Sequence, residues 1–132
     1  MNKILACFLV FMFLVCTVFA QTAVDEVAKG MSTGDVSKVS QYFDKVVDIT
    51  INDQQSTYSK SQAEMVLKNF FTKNKFRSFS LRHKGAGTNS TSIYVIGYIN
   101  TEKGKFSMYL MFKQRDSNVL VQEVMIANQP GE

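Results

Sequence analysis

The sequence predicts an α+β fold, with three N-terminal helices, one strand inserted before the third, packed on one face of a curved, mainly antiparallel sheet. Three observations carry this. Apolar residues recur at helical spacing only before residue 75. Beyond it, four segments alternate apolar and polar residues. The links between those segments are short and rich in turn formers. Strands that follow helices as a run, rather than alternating with them, belong to α+β architectures.

The first twenty residues, MNKILACFLVFMFLVCTVFA, stand apart from that domain. Lys3 precedes an unbroken apolar run over 4–15, and Val18 and Ala20 are small residues at the two positions a signal peptidase reads. A spanning helix needs about 20 apolar residues, and no basic cluster follows to halt transfer. The expectation is a signal peptide over 1–20, cleaved between Ala20 and Gln21. The single domain 21–132 would then be exported, to the periplasm or beyond the cell. Cys16 follows Val15, where a lipoprotein signal wants a small residue, so Cys7 and Cys16 read as apolar filler.

Both cysteines leave with the leader. The exported domain would have no disulfide, and its core must hold it unaided, which about 110 residues can do. A single histidine and no remaining cysteine argue against a metal site, and no motif calls for a cofactor. Removing Lys3 from the 15 basic residues leaves a net charge of +3 against 11 acidic ones. KNKFR and LRHK, within 73–84, are the local basic concentrations. A nucleic-acid reader would carry a denser stripe, so nucleic acid is not an expected partner. The membrane enters only through the leader.

Val24, Val27, Ala28 and Met31 follow i, i+3, i+4, i+7 spacing and predict a helix of about two turns. Gly30 and Gly34 weaken its end. Asp35 can cap a second short helix, with Val36, Val39 and Phe43 on its buried face and Tyr42 beside them. Val47, Ile49 and Ile51 alternate with Asp48, Thr50 and Asn52, a half-buried strand. NDQQS, 52–56, reads as a connecting loop.

The stretch TYSKSQAEMVLKNFFTKN, 57–74, predicts the third helix. Ser59 with Gln62, or Ser61 with Glu64, forms a capping box. Ala63, Val66, Leu67, Phe70 and Phe71 share one face, with Met65 at its margin. A membrane-surface helix would show a dense basic row opposite. This one is polar but mixed there, so it packs on the domain's own sheet. Four strands follow, near 76–84, 92–101, 105–113 and 119–127. GAGTNS, EKG and RDSN connect them as an antiparallel meander. Several are apolar on both sides: Ile93, Val95 and Ile99 oppose Tyr94, Ile96 and Tyr98. Three helices cover one face. The other is left for a partner, a ligand groove or a dimer.

That element order resembles the cone-shaped nuclear-transport-factor-2-like superfamily. More closely, the chain resembles small secreted bacterial proteins of domain of unknown function 4783. The likeness is carried by VAKGMSTGDVSKVSQYFDKVVDITI, YSKSQAEMVLKNFF, SFSLRHKG, YVIGYINTEKGKFSMYLMFK and VQEVMI, and spans about 24 to 127. The resemblance implies a cone fold and export across a bacterial inner membrane. It implies no activity, because these are fold-determining patterns.

Enzymes of that superfamily, such as steroid isomerases and dehydratases, place an acid or base and a tyrosine inside the cone. The corresponding candidates are His83 and Glu123, either of which could be an acid or base, with a tyrosine beside it. His83 shares strand parity with Phe79 and Leu81 and so is expected on the helix-covered side. Glu123 lies opposite in parity to Val124 and Ile126, and Asp48 alternates away from the apolar face of its strand. Tyr42, Tyr58, Tyr94, Tyr98 and Tyr109 offer polar handles to an apolar pocket, with Phe70 as an apolar wall. Tyr42, Phe70, Tyr98 and Tyr109 are the pocket residues expected. NST at 89–91 matches a glycosylation acceptor but reads as turn chemistry. GAG at 85–87 opens no helix and is no phosphate loop. The favoured function is a non-enzymatic module that binds a small apolar ligand or a protein through the cone or the free sheet face. The alternatives are a cone-type isomerase, dehydratase or hydrolase, and a structural homodimer.

Overall fold

The computed structural model describes residues 2–87 and 91–130 of the chain, with side chains for all of these except 8–21. Helix α1 (Lys3–Thr33) runs without a break from the apolar N-terminal segment through the first amphipathic segment. Ala23, Val24, Val27 and Met31 bury on the sheet. Gly34 ends the helix at φ 70°, and its N–H reaches the carbonyls of Gly30 and Met31. This left-handed stop suits a residue without a Cβ.

Helix α2 (Val36–Ser40) starts as expected, with the Asp35 carboxylate accepting from the Lys38 N–H at 3.1 Å. It ends earlier than its apolar spacing suggests. Phe43 is not on the helix but opens strand β1 (Phe43–Ile51). The Val121 N–H donates to the Tyr42 carbonyl at 2.7 Å, so sheet pairing overrides the helical spacing here.

Residues 52–56 are not a loop. Asn52 and Asp53 adopt positive φ, 48° and 69°, the conformation of a two-residue hairpin turn. The chain folds straight back as β2 (Gln54–Ser59), paired with β1 from Val46↔Ser59 to Ile51↔Gln54. A polar strand can take this place because it is the sheet edge.

Helix α3 (Lys60–Asn74) is closed at its start by Ser59 and Gln62: the Gln62 N–H donates to the Ser59 hydroxyl at 3.3 Å, and the Ser59 N–H to the Gln62 side chain at 3.1 Å. Ala63, Leu67, Phe70 and Phe71 are buried, as the spacing predicts, whereas Val66 is half-buried and Met65, expected at the margin, is exposed. The meander follows as β3 (Phe76–Ala86), β4 (Ser92–Thr101), β5 (Gly104–Arg115) and β6 (Asn118–Asn128). The sheet order is β2-β1-β6-β5-β4-β3, with β1 parallel to β6 and the other neighbours antiparallel. The helices lie on one face of this sheet, giving an α+β cone.

The space between the layers is full. Phe43, Phe112, Met31, Leu67, Met108 and Leu110 are completely enclosed. Phe70 and Phe106 meet edge to face at 5.0 Å near the mouth. Gly97 lets the Phe79 ring lie flat on β4: a Cβ there would stand 2.4 Å from that ring and 2.7 Å from the Ser80 carbonyl.

Candidate functional site

Cross-strand partners share a face of a sheet, so the register states what lies opposite the helices. One row crosses that free face as His83, Ile96, Tyr109, Met125 and Thr50. The next runs Gly85, Tyr94, Met111, Glu123 and Asp48. Tyr94, Ile96, Tyr109 and Met111 are half-buried there, with no helix above them.

His83 reaches this face by a change of register. Leu81 pairs with Gly97, but His83 pairs with Ile96, so Arg82 is an extra residue. Such a bulge reverses parity beyond it. His83 is therefore on the free face and not, as its spacing from Phe79 suggests, under the helices. The Arg82 guanidinium lies 5.3 Å from the Tyr98 ring centre, on the same face.

The side chains here support one another. The His83 Nε2 and the Tyr94 hydroxyl are hydrogen-bonded at 3.0 Å. Gly85 makes room for that hydroxyl, because a Cβ would meet it at 2.9 Å. The Tyr94 and Tyr109 rings stack with centres 6.4 Å apart. Burial pushes the Tyr109 phenol above its ordinary pKa, and the Glu123 and Tyr94 charges add to this. Tyr98 is flanked by Arg82 and by the Lys105 ammonium at 4.3 Å.

Tyr94, Ile96, Tyr109 and Met111 floor a groove of about 540 Å³, with Ser92 and Lys113 at one end. A smaller hollow of about 270 Å³ continues from Ile96 and Tyr109 to Met125 and Thr50. At the cone mouth, depressions of about 400 and 440 Å³ flank Val66. Their inner walls are Phe70, Phe106 and Ile49, behind which the core is closed.

The expected site residues thus separate. Tyr98 and Tyr109 lie on the free face. Tyr42 packs half-buried against the core at the junction of α2 and β1. Phe70 walls the mouth, as Tyr58 does. His83 and Glu123 share the free face but sit on β3 and β6, three strand spacings or about 14 Å apart. They cannot act together on one bond. Asp48 accepts from the Thr57 hydroxyl at 2.6 Å. The side chains of Ala20 and Gln21, and residues 89 and 90 of NST, lie outside the described residues. Among the described residues no three His, Cys, Asp or Glu converge to hold a metal.

Sequence reasoning passed over two features. Lys113 shares parity with Tyr109 and Met111, so its place on the groove rim was legible. Asp44 was not. It is buried where β1 bulges between Phe43 and Asp48, and it binds Arg115 at 3.2 Å, Gln122 at 3.0 Å and the Lys45 N–H at 2.7 Å. Burial pushes its carboxyl pKa up. The Gln122, Lys45 and Arg115 contacts outweigh this and hold it below the usual range.

Several solved structures resemble this arrangement in fold. A DUF4783 family protein from Bacteroides ovatus is 24% identical, with a TM-score of 0.75 over 80% of this chain and 94% of that one. One from Bacteroides uniformis is 23% identical, with a TM-score of 0.75 over 81% and 97%. A nuclear-transport-factor-2-like protein of unknown function from Shewanella oneidensis is 9% identical, with a TM-score of 0.61 over 85% and 98%. At these identities the likeness establishes the cone fold alone. No curated protein matches the sequence. The family model described as domain of unknown function (DUF4783) matches residues 24–127, and the chain belongs to that family.

Proposed function

We propose that the protein is an exported, non-enzymatic binding module whose site is the free sheet face rather than the cone interior. One observation carries this. The interior is packed solid by Phe43, Leu67, Met108 and Phe112, whereas the free face holds a groove of about 540 Å³ with an apolar floor and a few polar handles. That combination and size suit a small-molecule site. An acid and a base within reach of one another would support catalysis. The distance between His83 and Glu123 speaks against their joint use, and the His83–Tyr94 pair, hydrogen-bonded at 3.0 Å, is the acid–base candidate an enzyme would use.

The test is native mass spectrometry on the protein recovered from its host. The expected result is a chain beginning at Gln21 that carries a small-molecule adduct, lost in Met111→Glu. An adduct retained by that folded variant would overturn the reading.

A second reading has its own support. Val46 and Met125 are 55% and 42% exposed and extend the apolar strip beyond the groove. Arg82, Lys105 and Lys113 lie on one half of the face, and Glu123 and Asp48 on the other. Two copies facing each other about a two-fold axis would pair opposite charges. A dimer mass without adduct, returned to monomer by Met125→Lys, is the result this reading expects.

A further inference from the structure

We infer that the groove takes a small anionic amphiphile, an apolar ring-bearing body with a single carboxylate or sulfonate head. This rests on the free face being the binding site and names the chemistry of its ligand. The body is read from the floor. Tyr94, Ile96, Tyr109 and Met111 present stacked rings and polarisable side chains to the groove, surfaces that favour a flat apolar group.

The head is read from the rim. Lys113 lines the groove and is half-buried, yet it makes no ion pair among the described residues. An ammonium that holds no carboxylate within ion-pair distance gains from an incoming anion. Ser92 pairs with Lys113, and Tyr94 with Met111. Lys113 and Tyr94 are therefore diagonal neighbours on one face, about 7 Å apart at the backbone. The Tyr94 hydroxyl stands over Gly85 on β3, so it and Lys113 on β5 bracket the groove from opposite sides, and a head bound by the ammonium is directed toward it. His83 holds that hydroxyl at 3.0 Å, and Gly85 leaves it space. The hydroxyl is thus positioned before any ligand arrives.

The wider charge pattern agrees. Arg82 and Lys105, both drawn to Tyr98, also make no ion pair among the described residues. Together with Lys113 they give the β3–β5 half of the face a positive field. Glu123 and Asp48 end that field at β6 and β1. A long polyanion crossing the sheet would meet these carboxylates. Glu123, the partner of Met111 on β6, is the carboxylate nearest the groove, and a short ligand whose single charge lies at the Ser92–Lys113 end sits over β4 and β5, away from it.

The test is calorimetric titration of the full chain with 1-naphthaleneacetate and with 1-naphthaleneacetamide, which share a body and differ in charge. The acetate is expected to bind at least about fivefold more tightly. Lys113→Gln should bring it down to the affinity of the amide, and Tyr94→Phe should weaken it selectively. Met111→Glu should abolish binding of both. Equal affinities, both lost in Met111→Glu, would overturn the anion assignment while leaving the groove as the site. Binding of both ligands unchanged in Met111→Glu, or no binding of either to the wild type, would overturn the groove reading and this inference with it.

Discussion

Asp44 shows how a single residue can be decisive and yet unreadable. Its neighbours Phe43 and Val47 both bury, and simple alternation assigns an even-numbered position to the opposite face. The bulge in β1 breaks that alternation and turns Asp44 inward against Gln122, itself the extra residue between Met111↔Glu123 and Phe112↔Val121. Asp44→Asn is expected to cost about 1–3 kcal/mol, the range for disrupting a buried, charge-assisted hydrogen bond. The sign of the pH dependence follows from its depressed pKa. The carboxylate stabilises the fold fully above the ordinary unfolded value of about 3.9, and the contribution is lost as pH falls through the lower folded value. Urea melts at pH 6 and pH 3 should therefore show a wild-type advantage over Asp44→Asn at pH 6 that shrinks at pH 3. An advantage that grows on acidification would contradict the assignment.

At the scale of elements, periodicity was legible and register was not. The third helix could be read in detail because its cap and its buried stripe are both local. Leu67→Ala should lower stability by about 2–5 kcal/mol, as for other enclosed leucines. Ser59→Ala should cost about 1 kcal/mol through the lost cap. Thermal or denaturant melts of the two variants check both, and a Ser59→Ala effect as large as that of Leu67→Ala would contradict the ranking. The hairpin at Asn52–Asp53 went unread because its strand β2 is polar except for Tyr58, a composition that an edge position permits. The placement of His83 went unread because one extra residue, Arg82, reverses everything beyond it, and nothing in SLRHK marks the extra residue. By contrast, Tyr94, Ile96, Tyr98, Tyr109 and Met111 fall on one face by plain alternation. Most of the groove was therefore in the sequence, but its histidine was not.

For the whole molecule, the helices and the sheet enclose a core that begins, among the described side chains, at Ala23. Nothing from residues 2–7 joins it. A chain started at Gln21 is therefore expected to melt within a few degrees of the full-length protein, and the exported form should begin at that residue. Terminal sequencing of the exported protein checks the second point, and retention of Met1 would contradict it. The same closed core moves binding to the outer face of the sheet. The sequence showed that face to be apolar but could not say that the cone itself was full, because packing between layers depends on how closely they approach.

Methionine methyl NMR tests this central claim most directly, because the methionines are already distributed as reporters. Met31 and Met108 lie enclosed in the cone, Met65 is exposed on α3, Met111 floors the groove and Met125 lies beyond it on the free face. On titration with 1-naphthaleneacetate, the Met111 methyl should shift saturably while those of Met31, Met65 and Met108 stay in place. Saturable shifts of Met31 and Met108 with Met111 unmoved would place the ligand inside the cone and contradict the account.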